Sequence, residues 1–364
     1  MSGMWGNNIK VSIFGESHGN AIGITIDGLP SGIELDLNKI DEEMKRRAPG
    51  KSNLSTSRKE SDVPEILSGF FEGRTTGTPL CGMIKNSDTR SKDYSKIKDL
   101  MRPGHADYTG NIRYSGFNDY RGGGHFSGRI TAPLVFAGAI CKQILESKGI
   151  YIGAHVKKIK NVSDESFDYT NITKDMLDSF KKEELPLLNS EKEEEMRKVI
   201  LEAKSNGDSV GGVIECAVIG IEAGLGNPFF DSVESTLSHL LFSVPAVKGV
   251  VFVLRFDIAE LYGSEAYDEF YYENDIVKTK SNNNGGILGG ITNGMPIIFK
   301  CAIKPTASII KEQSTININE HTNESLIIEG RHDPCIVQRA LPVIEAVTAI
   351  GILDLVRERY GWQL

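Results

Sequence analysis

The chain has 364 residues, 40% of them hydrophobic and 25% charged, and carries a formal net charge of −8. Such a composition belongs to a globular protein long enough to bury its own core. The acidic balance excludes a general nucleic-acid or anionic-membrane binder, and the longest apolar stretch, near residues 132–141, falls well short of the ~20 residues that a membrane span needs.

Residues 9–14 alternate as a strand does, glycines interrupt, and 21–27 resume the pattern. The spacing predicts a helix over 36–47, where Asp36 can cap, Ile40 and Met44 lie four apart, and Ala48-Pro49-Gly50 ends the run. Residues 50–62 form a basic, serine-rich loop containing Lys51, Arg58 and Lys59, and 64–85 return to short strands split by Thr75-Thr-Gly-Thr-Pro79. Residues 86–127 read mostly as loop, and a loop that long inside a compact domain is usually functional.

A helix follows over 128–148, with Leu134, Ala137 and Cys141 on one face, Gly149 as C-cap and Arg129 in the first turn. Residues 160–206 are dense in Glu and Lys and read as a charged helical surface insert of two helices, the second ending at Asn206-Gly207. A strand is predicted at 211–220, a helix at 230–241, a turn at 244–249, a glycine-asparagine turn cluster at 282–290, a strand at 295–303 and one long helix over 334–359. The strands are joined by glycine turns without a regular βαβ rhythm. That pattern predicts an α+β chain with antiparallel sheets covered by helices.

Four glycine-rich segments carry the chemistry. In Gly15-Glu-Ser-His-Gly19, a histidine between two strands is a candidate general acid. The segment does spell Gly-x-Ser-x-Gly, but it lies between two strands instead of leading into a helix, and a serine and histidine adjacent in sequence do not readily form a nucleophile–base pair, so a serine hydrolase is rejected. In the second segment Pro103 and Gly104 fix a turn between Arg102 and His105, followed by Asp107 and Tyr108. In the third, Arg121-Gly-Gly-Gly124 bares consecutive N–H groups that can form an anion-binding nest, and Arg129 follows at a helix start. In the fourth, Gly330-Arg-His-Asp333 precedes Pro334, a good first helical residue, so Arg331 and Asp333 are expected at a helix start. Lys304-Pro-Thr-Ala-Ser308 adds a cation and two hydroxyls, a phosphate clamp by its chemistry. Cations gathered in glycine loops of an acidic protein point to a small anionic ligand.

Neither a Rossmann glycine fingerprint nor a P-loop occurs, and zinc-ligand spacing is absent, so no metal is expected. His155, His239 and His321 read as ordinary surface or core residues. Five scattered cysteines without a CxxC pair, and an N-terminus without a basic-plus-hydrophobic leader pattern, lead us to expect a cytoplasmic protein.

Together these segments resemble the chorismate synthase family. The likeness runs through FGESHG at 14, RRAPGKS at 46, RPGHADYT at 102, RGGGHFSGRIT at 121, AVKG at 246, GGILGG at 285, KPTAS at 304 and GRHDPC at 330, in order along nearly the whole chain. The resemblance implies a lyase of the shikimate pathway, serving aromatic amino acid biosynthesis. Such an enzyme converts 5-enolpyruvylshikimate 3-phosphate to chorismate and phosphate by a 1,4-elimination that needs reduced FMN without net redox change. It implies a single domain over 1–364, two antiparallel-rich sheets packed between helix layers (an αββα sandwich), and a homotetramer.

By the same resemblance His18 is the general acid at the phosphate end, His105 protonates the reduced flavin ring, and Asp333 works with the flavin N5 to remove the ring proton. Flavin contacts fall on His125, Phe126, Ser127, Pro245, Ala246, Gly289, Lys304, Pro305, Thr306, Ala307, Ser308 and Arg331. Substrate contacts fall on Ser17, Arg47, Arg102, Arg129 and Arg331, and Arg47 also matches an NADP position of the family. Where a common family form has arginine and serine, this chain has His125 and Phe126, which leaves backbone or a ring face to meet the flavin. The family's second NADP arginine is replaced by Asn53, which implies that reduced FMN comes from an external flavin reductase and that NADPH serves only as that outside reductant. The alternative is a flavin-dependent oxidoreductase acting on a small phosphorylated acid, which would consume one NAD(P)H per product. A non-enzymatic phosphometabolite binder would release no phosphate.

Overall fold

The computed structural model describes residues 3–50, 54–56, 60–87, 98–328, 330 and 332–361. Asp36 caps the first helix, α1 (Leu37–Arg47), accepting from the Asn38 N–H at 2.9 Å, and Ile40 and Met44 turn inward as their spacing requires. Before and after it run five strands: β1 (Met4–Trp5), β2 (Lys10–Gly15), β3 (Ala21–Asp27), β4 (Glu65–Ser68) and β5 (Leu80–Lys85). They form one antiparallel sheet in the order β1-β2-β3-β5-β4. Alternation does the rest: Ile22, Ile24 and Ile26 are fully buried on one face, while Phe14 lies 41% exposed on the other.

The second sheet holds β6 (Tyr151–Ile159), β7 (Val162–Ser163), β8 (Gly212–Ile219), β9 (Val247–Phe252) and β10 (Ile297–Ile303), ordered β9-β10-β8-β6-β7 and again antiparallel. The remaining helices of seven residues or more are α2 (Asp107–Arg113), α3 (Thr131–Glu146), α4 (Lys174–Phe180), α5 (Glu193–Ser205), α6 (Val233–Ser243) and α7 (Val337–Tyr360).

The layer order inverts the expected αββα sandwich. Helix α3 packs against β3 and β5 of the first sheet and against α7, and α7 packs against β6 and β8 of the second. The helices therefore lie between the sheets. The physical reason is that neither helix has a polar face: residues 131–142 of α3 and 341–357 of α7 are buried all round. On the outer face of the second sheet, α4 brings Leu177 and Phe180, with Phe167, onto Ala217, Ile219 and Ile298. The charged 160–206 stretch does form two helices, and its second ends at Ser205 as expected, but it also contributes buried Met196 and Ile200 to the main core. Glu215 of β8 ties this layer down, taking His155 Nε2 at 2.8 Å, Lys300 Nζ at 3.0 Å and the Phe167 N–H at 2.8 Å.

The two buried helices cross closely at Gly138 of α3. A Cβ there would lie 2.2 Å from the Ala346 Cβ and 2.3 Å from its Cα on α7. We expect Gly138→Ala to destabilise the protein by roughly 1–3 kcal/mol, overpacking outweighing the gain in helix propensity. Chemical denaturation would read this, and an unchanged midpoint would show that α3 and α7 can separate freely. One further contact ties this layer to the site. Glu345 of α7 takes Arg46 at 2.7 and 2.9 Å and Lys142 at 2.5 Å, anchoring the end of α1 from which Arg47 projects.

Three further stretches differ from expectation, besides strand β6, which was not predicted at all. The 244–249 turn ends at Ala246, whose φ is +75°, and β9 starts at Val247. The 86–127 stretch contains helix α2, while 88–97 fall outside the described residues. The last helix begins at Val337 rather than Pro334, because the Pro334 carbonyl accepts the Val210 N–H at 2.8 Å and the chain is still extended there. Asp333 therefore sits on a loop and not at a helix start.

Candidate active site

The turn leaving β2 places Ser17 and His18, both buried, beside the triple-glycine turn. Gly122, Gly123 and Gly124 have φ of +60°, +89° and +53°, a run only glycine sustains without strain. Close approach is the second reason for glycine. A Cβ on Gly122 would stand 2.1 Å from His18 Cε1 and 2.2 Å from its Nδ1, and one on Gly123 would stand 2.9 Å from His105 Cε1. The triplet is thus the surface on which two imidazoles rest. Ser17 Oγ lies 3.2 Å from both His18 Nδ1 and the Arg121 carbonyl; giving its proton to the carbonyl, it accepts from Nδ1. His125 Nδ1 donates to the Gly15 carbonyl at 2.9 Å, closing the two turns onto each other.

Arg47 and Arg129 are held by one carboxylate. Asp62, in a left-handed conformation with φ +49°, gives one oxygen to each guanidinium. Burial alone would raise the Asp62 carboxyl, but the two guanidiniums overturn that and hold it below the usual carboxylate range. Burial pushes the Arg47 guanidinium down to about 10, with Asp62 opposing and Arg339 and Arg129 adding to the fall. Arg47 Nε also meets Thr131 Oγ1 and its Nη2 the Gly128 carbonyl, both at 3.3 Å. Arg129 Nε donates to Asn86 at 3.0 Å, and Ser127 caps the turn that carries it, as expected of a helix start.

Asp107 organises the third group. It accepts Arg102 Nε at 2.6 Å and Nη2 at 2.7 Å, and lies 2.7 Å from His105 Nδ1. Burial would raise its carboxyl, but hydrogen bonds from Arg102 and His105 carry it well below the usual value. Arg102 Nη1 reaches Ser308 at 3.3 Å, and the Lys304 ammonium donates to the Gly104 carbonyl, joining the 102–109 and 304–308 loops. Burial and the neighbouring Lys248 lower the Lys304 pKa. Asp333 takes the Thr56 N–H at 2.8 Å and Arg339 Nη1 at 2.7 Å.

These groups border one cavity of about 870 Å³, within the size of ligand sites. Arg47, Arg102, His105, His125, Phe126, Ser127, Arg129, Pro245, Ala246, the whole 304–308 run and Asp333 line it. Ser17 and His18 are not among its lining residues but adjoin Gly122, which is. Gly289 does not join them in this chain; it lies in the hairpin whose next residue, Gly290, accepts the Val233 N–H at the start of α6. Arg331, and Asn53 of the proposed NADP departure, lie outside the described residues. Phe126 turns its ring toward Gly110 and Tyr114, so its side chain serves the wall.

Sequence reasoning missed Asp62, Thr56, His332 and Arg339. Only the acidic side chain of Asp62, beside a basic loop, hinted at a role. His239, read as ordinary, also lines the cavity.

A large cavity walled by paired arginines and imidazoles, on bare glycine backbone, defines an enzyme site for a small molecule with several negative charges. The chorismate synthase family model matches residues 9–356, and the chain belongs to that family, the lyases of the shikimate pathway. It is 43% identical over 360 residues to the chorismate synthase of Thermococcus kodakarensis, covering 99% of each chain. It is 46% identical over 363 residues to that of Methanocaldococcus jannaschii, covering 96% of this chain and 95% of the relative. A crystal structure of chorismate synthase superposes with a TM-score of 0.77 at 30% identity, covering 98% of this chain and 94% of that one. These relatives lend no support to the oxidoreductase alternative. Among the described residues no helix is long and apolar enough to cross a membrane.

Proposed function

We propose that this chain converts 5-enolpyruvylshikimate 3-phosphate to chorismate and phosphate inside this cavity, with reduced FMN as cofactor. The observation that carries the reading is the convergence of Arg47, Arg102, Arg129 and Arg339 on one cavity. A phosphate and two carboxylates are the charges such a wall would hold. Arg47, Arg102, Arg129 and Ser17 bind and orient the substrate, together with Arg331. His18 gives a proton to the departing phosphate, its Nδ1 side steadied by the Ser17 hydroxyl at 3.2 Å. Asp333, gripped through both oxygens, accepts the ring proton. His105, whose ring lines the cavity, gives up a proton from Nε2.

The cavity wall suits a flavin mononucleotide. The Thr306 hydroxyl is buried without a partner among the described residues, and Lys304 and Lys248 form a cationic pair that an anion would relieve. His125, Phe126, Ser127, Pro245, Ala246 and the 304–308 run would hold it, together with Arg331. When bound, reduced flavin supplies electron density to the breaking C–O bond. We further infer a single-domain chain acting as a homotetramer in the cytoplasm, where its five unpaired thiols would persist. Reduced FMN comes from an external reductase. Asn53, where the family pattern has its second NADP arginine, is the ground for taking NADPH as an outside reductant only.

An anaerobic assay of phosphate release tests this. We expect release only with reduced FMN present, and in amounts far beyond the reductant supplied. Consumption of one NAD(P)H per phosphate would assign the chain to true redox turnover, and no release at all would end the reading.

A further inference from the structure

We propose that Asp107 is a positioning residue that sets the tautomer of His105 and binds Arg102 to it, so that the proton-handling nitrogen and an anion-binding guanidinium are placed as one unit. This rests on His105 handling a proton in the reaction proposed above.

The hydrogen-bond accounting carries the inference. Asp107 Oδ1 lies 2.7 Å from His105 Nδ1 and 2.7 Å from Arg102 Nη2. Oδ2 lies 2.6 Å from Arg102 Nε and 3.2 Å from the Arg102 N–H. An ionised carboxylate only accepts, so Nδ1 must carry the hydrogen. Arg102 Nη2 is also 3.1 Å from Nδ1, but a guanidinium only donates. Two donors therefore converge on one oxygen and do not bond each other.

With Nδ1 committed, a neutral His105 keeps its lone pair on Nε2. That edge is the one that faces the glycine triplet: a Cβ on Gly123 would stand 3.0 Å from Nε2. The nitrogen left to take up and hand over a proton is thus Nε2, on a ring that lines the cavity. When it is protonated, the imidazolium has an anion already in contact. Both oxygens of Asp107 are engaged by His105 or Arg102, so neither can shift without releasing the other. His332, which also lines the cavity, bonds instead to the Ile328 carbonyl and does not compete for this carboxylate.

Solid-state nitrogen NMR of the full chain labelled at histidine reads the tautomer, with His105→Ala identifying the signal. The parent should show His105 protonated at Nδ1 when neutral; finding it protonated at Nε2 overturns the proposal without any variant. In Asp107→Asn, Arg102 claims the one remaining carbonyl oxygen and turns the amide NH2 toward Nδ1. The tautomer should then switch to Nε2–H and turnover should fall by roughly 10²-fold or more, as when other oriented catalytic imidazoles lose their carboxylate. Asp107→Glu should restore Nδ1–H and part of the turnover. A loss of turnover with the tautomer unchanged would leave Asp107 only a tether for Arg102 and refute the assignment. His105→Ala separates the two readings: if that variant turns over normally, the proton role of His105 falls, whatever the tautomer of the parent.

Discussion

Gly122→Ala should cost turnover on the scale of losing His18 itself, roughly 10²–10⁴-fold, the usual range for an acid–base group. The added methyl would stand 2.1 Å from His18 Cε1 and 2.8 Å from Ser17 Oγ, inside any tolerable contact. The residue would also hold a left-handed φ of +60°, which costs alanine of order 1–2 kcal/mol. An imidazole displaced by the methyl leaves its place beside Ser17, and the proton it hands over moves with it. The cleanest reading comes from a double-mutant cycle. His18→Ala removes the ring that the methyl strikes most closely, so in its absence the methyl should add far less to the loss than it does in the parent. If the two losses multiply, Gly122 acts on the site by some route other than the histidine. If Gly122→Ala turns over at the parent rate, His18 is not seated where turnover needs it.

What could be read ahead from the residues follows the range of each interaction. Helix α1 was legible because its cap and its apolar pair lie close together along the chain. The histidines, the glycine triplet and the 304–308 run were legible as local chemistry; His105, His125, Gly122 and the 304–308 run meet at one cavity, with His18 against Gly122. Asp62 was not. Its function comes from guanidiniums 15 and 67 residues away, and nothing at its own position records them. Arg339 is similar, for its place on α7 only matters once the 333 loop folds back on it. The layer order also escaped, for a different reason. The antiparallel sheets follow from short strands and glycine turns, but a helix buried on every side has no face that says which neighbour it meets. Strand β6 was missed because Gly153 and His155 break its alternation, and His155 is buried only because Glu215 and Asp164 are there to receive it.

Asp333→Asn should abolish most turnover, by roughly 10²-fold or more, while leaving substrate binding largely intact. Asp333 has two oxygens and two donors on them: the Thr56 N–H at 2.8 Å and Arg339 Nη1 at 2.7 Å. Asparagine offers one acceptor oxygen, so its NH2 must face one of these donors, and that pairing fails. The amide also cannot take a proton at neutral pH. Two separate losses are therefore expected, a shift of the Thr56 or Arg339 contact and the removal of the base. Asp333→Glu tells them apart, since it keeps the charge and both acceptors at the cost of one methylene. It should recover part of the rate if removal of the base is the greater loss, and none if geometry alone decides. Substrate deuterated at the ring carbon that loses its proton adds a direct reading. In the glutamate variant proton removal should limit the rate and the isotope effect should rise above that of the parent. An asparagine variant that keeps full activity and an unchanged isotope effect would mean that the proton leaves to another group, and Asp333 would then be only the clasp between the 56 loop and α7.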